Sequence, residues 1–143
     1  MPDAFRTQRR IEFADTDAAG IAHFSRYFCL MEEAEHEFLR SLGLSVLLGD
    51  DDGPISFPRV RAACDFRVAL RFEDVADIDV QIEKIGRTSV AYRFAFSRGG
   101  EPIATGEIVT VCCRVSHDAP LRAIEIPPWI AEKLRPFVVA EKA

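Results

Sequence analysis

Lysine is nearly absent from this sequence: of 18 basic residues 15 are arginine and 3 lysine, set against 23 acidic residues for a net charge of −5. That deficit of positive charge excludes a general nucleic-acid binder, because sequence-independent affinity for phosphate backbones needs a basic excess. An anionic ligand must therefore meet a local basic patch. The arginine bias suits bidentate phosphate recognition, but genome composition produces the same bias. Long apolar runs are also missing. No stretch approaches the roughly 18 apolar residues of a membrane span, and Met1 to Arg10 is polar, so a cytoplasmic protein with no membrane partner is expected. Cysteine is sparse: Cys29, Cys64, Cys112 and Cys113 lie in apolar periodic stretches. They show no metal-ligand spacing, and the adjacent pair is too constrained for an ordinary bridge, which points to reduced core thiols and no metal. His23, His36 and His117 offer no metal spacing either. There is no internal repeat, low-complexity segment or linker, so the 143 residues, 48% hydrophobic, are expected to form one domain over 1–143.

What is present is a change of period. From Gln8 to Phe13 apolar and polar residues alternate, as in a strand with one buried face. Ala14 to Ala22 is a small-residue loop leading to Ser25, whose hydroxyl is placed to cap a helix. From Arg26 to Leu42, Tyr27, Leu30, Met31, Ala34, Phe38 and Leu42 recur at three- and four-residue steps, and Gly43 ends the helix. Four further strands are predicted: Arg59 to Arg71, with its even positions inward; Val75 to Glu83; Ser89 to Ser97; and Pro102 to Val115, apolar on both faces. Pro127-Pro128 opens a short terminal helix through Leu134. One long helix and about five antiparallel strands form a closed α+β unit when the sheet curls around the helix. The other sheet face, partly apolar, is then open to a second copy.

The one local concentration of acid, imidazole, glycine and hydroxyl ahead of a helix is Asp15-Thr16-Asp17-Ala18-Ala19-Gly20-Ile21-Ala22-His23-Phe24-Ser25. A carboxylate in a loop entering a helix can attack a carbonyl or activate water, while free N–H groups of the first turn stabilise the developing oxyanion. A thioester suits such a site. Its carbonyl is weakly resonance-stabilised and its thiolate leaves without much protonation, so one carboxylate can replace a full triad. The competing reading of the same residues is Asx turns and helix caps. Asp15 is expected to be structural, His23 structural or at the surface, and Phe24, Tyr27 and Phe28 either pocket lining or plain core.

The run Arg10-Ile11-Glu12-Phe13-Ala14-Asp15-Thr16-Asp17-Ala18-Ala19-Gly20-Ile21, followed by Tyr27, resembles the signature of the 4-hydroxybenzoyl-CoA thioesterase family, and Leu121 to Pro127 resembles that enzyme's ending. The resemblance implies a hot-dog fold, an antiparallel five-stranded sheet curled around one long helix, working as a homodimer or homotetramer. It implies an acyl- or aroyl-CoA substrate and no cofactor beyond the coenzyme A carried by that substrate. Asp17 becomes the nucleophile or general base, and the backbone N–H of Phe24 the group that polarises the carbonyl. Gly20 and Tyr27 fall in the substrate-binding part of the signature. The family's basic run for coenzyme A phosphates corresponds to Gly86-Arg87-Thr88-Ser89, which leaves Arg87 as its charge, with Arg59, Arg61 or Lys84 as further candidates. Relatives of the Tol-Pal-associated thioesterases carry a Tyr-His pair where this chain has His23-Phe24. One residue turns a side chain by about 100° on a forming helix, so His23 stays a candidate without that role. The Asp-Thr-Asp-Ala-Ala-Gly spelling also resembles 1,4-dihydroxy-2-naphthoyl-CoA hydrolases. Two other classes compete: a hot-dog domain that binds an acyl thioester or acyl carrier protein without hydrolysis, and a hydratase. The hydratase is disfavoured because His36 and its neighbours Glu35 and Glu37 are adjacent on a helix and do not face one another.

Overall fold

The apolar stripe of the long helix dictates the architecture. In the computed structural model, which describes residues 3–139, α1 (Phe24–Ser41) buries Tyr27, Leu30, Met31, Ala34, Glu35, Phe38 and Leu39 along one side. Phe38 and Met31 are fully buried, and each such side chain contributes about 1.5–3 kcal/mol by leaving water. The stripe packs on a five-stranded antiparallel sheet formed by β1 (Phe5–Arg10), β4 (Arg59–Phe66), β5 (Val75–Ile85), β6 (Ser89–Arg98) and β7 (Glu101–Val111). Their order is β1-β5-β6-β7-β4. Alternate residues of β5 and β6, among them Ile78, Val80, Ile82, Phe94 and Phe96, face the helix. At Gly106 of β7 the absent side chain makes room for Met31 of the helix, because a side-chain carbon there would collide with the Met31 sulfur. A helix held in a curved antiparallel sheet is the arrangement that the resemblance implied.

Several boundaries differ from the sequence reading. The first strand ends at Arg10, and Phe13 sits in a 3-10 turn (Phe13–Asp15) with 77% of its surface exposed. The cause is the Asp15 carboxylate, which accepts the Glu12 N–H at 2.8 Å and turns the chain out of the ladder. The helix starts before Ser25: the residue in the capping position is His23, whose ring nitrogen accepts the Ser25 N–H. The strand predicted to reach Arg71 stops at Phe66, because the N–H groups of Arg67 and Val68 both turn to the Ile103 carbonyl. Of its apolar even positions, Leu70 is buried and Cys64 and Val68 pack against the core, while others are exposed. Val60 is 62% and Phe66 48% exposed, for β4 is an edge strand hydrogen-bonded to β7 on one side only.

A second, four-stranded sheet was not foreseen. It comprises β2 (Leu48–Asp50), β3 (Gly53–Ser56), β8 (Cys113–Ser116) and β9 (Ala119–Ala123) in that order. The predicted strand Pro102 to Val115 is thus two strands, broken where the Cys112 N–H bonds the Thr88 carbonyl and the Cys112 carbonyl accepts the Ile124 N–H. The terminal helix α2 (Pro128–Leu134) opens on proline as expected and buries Ile130 and Leu134. The outer face of the large sheet is partly apolar, as expected, at Ala91, Ala95, Val109 and Val111, and carries polar ladders such as Arg6 with Asp79 and Gln8 with Asp77 beside them. On β4, Val60 and Phe66 add exposed apolar surface. Among the described residues no helix is long and apolar enough to cross a membrane.

Candidate active site

The loop before α1 is folded by its own polar groups. Asp15, buried, accepts from the Glu12 N–H and, at 2.8 Å, from Nε of Arg26 in the first turn of α1, while its carbonyl accepts the His23 N–H. This carboxylate therefore ties the loop to the helix. Thr16 and Ala22 pair as an isolated bridge, and the Asp17 N–H bonds the Ile21 carbonyl, so residues 17–21 form a tight turn between them. Gly20 closes that turn at φ 79°, a left-handed conformation that costs glycine little and a side-chain residue more.

Asp17 is exposed at the head of the turn, and its Oδ1 accepts the Ala19 N–H at 2.9 Å in an Asx turn. The second carboxylate oxygen makes no hydrogen bond among the described residues. Asp17 lines a cleft of about 310 Å³ whose walls include Ile21, Phe24, Tyr27, Phe66 and Val68. Tyr27 stacks edge-on against Phe66 and Phe96, and burial pushes its hydroxyl above the ordinary tyrosine range, so it serves the cleft as a neutral wall. Phe24 is the first residue of α1, and its N–H has no intrahelical acceptor; the positive end of the helix is presented there. A carboxylate and an unpaired helical amide thus share one apolar cleft. Such a pair can deliver an oxygen nucleophile to a carbonyl carbon while holding the carbonyl oxygen.

The other candidates fall elsewhere. The Nδ1 atom of His23 lies 2.8 Å from Ser25 Oγ, its ring packs on that of Phe24, and it is not among the residues lining the cleft. Arg59 is committed to Glu35 and Glu32 of α1 at the far end of β4. Arg61 is exposed, 3.7 Å from Glu107, and Lys84 is exposed on β5. Arg87 lies in the turn between β5 and β6 and Ser89 opens β6; there the Gly86 N–H bonds the Ser89 carbonyl and the Ile126 N–H bonds the Arg87 carbonyl. Arg10 pairs with Val75 at the cleft end of β5. With about 3.3 Å per strand residue, that turn lies some 30 Å along β5 from the cleft. Within one chain Arg87 does not line the cleft at Asp17. Sequence reasoning missed the cleft's other wall, Phe66 to Ala69, which adds Arg67 to its lining. The Arg-Val-Ala segment read as strand because the alternation of apolar even positions continues through Val68 and Leu70, so periodicity gives no signal of the break.

Comparison with known proteins is consistent with this geometry. Residues 11–134 match the sequence model of the Thioesterase-like superfamily. A protein of Aquifex aeolicus is 32% identical over 135 residues, covering 94% of this chain and 99% of its own length. A 1,4-dihydroxy-2-naphthoyl-CoA hydrolase of Synechococcus elongatus is 28% identical over 109 residues, 76% of this chain and 80% of that protein. Among solved structures, a gentisyl-coenzyme A thioesterase superposes with a TM-score of 0.78 at 32% identity, covering 89% of this chain and 99% of that one.

Proposed function

The chain belongs to the thioesterase-like superfamily, with the hot-dog fold of its relatives, and from that membership we propose that it hydrolyses an acyl- or aroyl-CoA thioester with Asp17 as nucleophile or general base. The observation that carries the proposal is the Asp17 carboxylate, fixed by its Asx turn, in the same cleft as the first turn of α1. The thioester carbonyl docks with its oxygen on the Phe24 N–H, where the helix dipole favours the negative charge that develops. Asp17 then either attacks the carbonyl carbon, to be released by water from an anhydride, or takes a proton from water as that water attacks. In both cases the coenzyme A thiolate leaves and the free acid remains. That relatives are named for naphthoyl- and gentisyl-CoA supports an aryl acyl group. No cofactor is needed beyond the substrate's own coenzyme A.

The decisive experiment is thiol release from a panel of acyl- and aroyl-CoA thioesters. Hydrolysis of at least one supports the proposal; tight acyl-CoA binding with no thiol released identifies a non-catalytic binding domain instead. The carbonyl-polarising amide has its own test. Phe24 is the first helical residue and His23 before it is extended (φ −64°, ψ 140°), so proline fits there without breaking the helix. Phe24→Pro, which deletes the N–H, is expected to lower kcat about a hundredfold, whereas Phe24→Ala, which keeps it, falls far less. Equal losses in the two variants would assign the effect to the ring.

The same reading takes residues 1–143 as one cytoplasmic thioesterase domain assembled as a homodimer or homotetramer; residues 1, 2 and 140–143 lie outside those described. Support for assembly comes from β4, an unpaired edge with Val60 and Phe66 exposed. Two copies related by a two-fold axis pair this edge antiparallel. The Arg59 end of one strand then lies against the Phe66 end of the other. Each cleft thereby gains arginines of the second chain for the substrate's phosphates. Sedimentation velocity is expected to give a dimer or a multiple of it, and a monomer at micromolar concentration would remove the shared site.

A further inference from the structure

The cleft at Asp17 holds a positive charge that the proposed reaction does not use. Arg67, on the Phe66 to Ala69 wall, lines the same cleft as Asp17, yet among the described residues it pairs neither with Asp17 nor with any other carboxylate. Its backbone is held, for the Arg67 and Val68 N–H groups both bond the Ile103 carbonyl, at 2.9 and 3.1 Å. Other arginines in this part of the fold are neutralised: Arg26 by Asp15 at 2.8 Å and Arg98 by Asp74 at 2.7 Å. Arg71, bridged to Ile21, is a second guanidinium without an ion pair among the described residues. It lies over the reactive turn, its Nη1 3.9 Å from where a side-chain carbon at Gly20 would stand. A chain of net charge −5 thus sets two uncommitted guanidiniums around the Asp17 turn, which is the local basic patch that an anionic ligand needs.

The size of the cleft limits which anion Arg67 meets. A cavity of roughly 150 Å³ holds one benzene ring, and the cleft has about 310 Å³. With the thioester carbonyl on the Phe24 N–H, such a space takes the acyl group and the first atoms of the thiol arm. The phosphates of coenzyme A stand a whole pantetheine arm beyond the sulfur, outside it. The anion that reaches Arg67 therefore belongs to the acyl group. A neutral acyl group covering Arg67 would strip water from the guanidinium and return no hydrogen bond. A carboxylate accepts two parallel N–H bonds from it, and the guanidinium offsets the repulsion between that carboxylate and Asp17. Phe24, Tyr27 and Phe66 supply the aromatic walls for a ring that carries it.

We infer that Arg67, with Arg71 adding to the local positive field, selects an aroyl group that carries a carboxylate besides its thioester. The biological use of this selection rests on the proposed thioesterase activity; its test does not. The probes are phenacyl thioethers of pantetheine, which keep a carbonyl but have neither an acyl–sulfur bond to hydrolyse nor any phosphate. They are made in pairs that differ only in a carboxylate or a carboxamide at the ortho, meta or para position of the ring. Calorimetric titration of the whole protein is expected to show, for at least one pair, about tenfold or tighter binding of the carboxylate. Equal affinities within every pair, or binding of no probe, would overturn the inference. Arg67→Gln is expected to bring that ratio near one and Arg67→Glu to reverse it; a preference retained in either variant would also overturn it. Arg67 is exposed, so both variants are expected to fold, and thermal unfolding verifies this. Carboxylate preference with no thioester hydrolysed would leave the arginine assignment standing and remove the activity, whereas hydrolysis without the preference removes the arginine assignment alone.

Discussion

Replacing Asp17 with asparagine is expected to slow thiol release from a cleaved acyl-CoA by a factor of several hundred or more, a loss of about 3 kcal/mol of transition-state stabilisation, with folding unchanged. Asparagine is the diagnostic substitution because its side-chain oxygen can still accept the Ala19 N–H that shapes the turn. What it removes is the negative charge, and with it both the nucleophile and the base. Alanine would remove the turn's hydrogen bond as well and confuse the two effects. The loss should appear in kcat, since a neutral amide still lets the thioester dock on the Phe24 amide. Equal rates for native and variant protein would exclude Asp17 from the reaction.

Arg59→Met is expected to cost about 3–5 kcal/mol of folding stability near pH 8, because it leaves the Glu35 carboxylate buried without its cation. Burial already holds the Glu35 carboxyl above the ordinary glutamate range even with Arg59 pulling it down. Without Arg59 it rises further. A carboxyl raised in the folded state contributes its stability fully below the unfolded pKa and loses it as pH climbs through the folded value. The variant should accordingly recover part of its loss as pH falls and Glu35 is protonated, and be weakest at high pH. Denaturant midpoints at pH 5 and pH 8 measure this. A loss below about 1 kcal/mol, equal at both pH values, would mean the pair behaves as a surface bridge. Substituting both partners by apolar residues should restore much of the stability.

The elements with a strong period were legible in the sequence. The stripe of α1 was placed to within two residues at its start, and β5 and β6 follow the predicted alternation closely. Alternation alone could not tell an edge from an interior strand, which is why Val60 and Phe66 of β4 were expected inside and are exposed. The small sheet was illegible for another reason. β2 and β3 have three and four residues in a Gly- and Asp-rich stretch that reads as turn, and the pairing of β3 with β8 is remote in sequence, as is the contact of Arg114 with Asp50 of β2.

At the candidate site, the motif carried Asp17, Gly20 and Phe24 to one loop and helix start because local turn chemistry is written in adjacent residues. The basic residues carried no such information. Arg59 turned out to be neutralising Glu35, and Arg87 to stand at the opposite end of the sheet. Spacing did mark Glu35, four residues after Met31 and three before Phe38 on the buried stripe. Its charge concealed the placement, since an acid on such a stripe needs a cation that periodicity cannot identify.

The strut from Asp15 to Arg26 fastens the reactive loop to the helix that supplies the amide, so the two move as one body. In the proposed reaction, acid and amide are then positioned when the chain folds rather than when a thioester arrives. The entropy of bringing them together is incurred once per molecule, and successive turnovers inherit the arrangement.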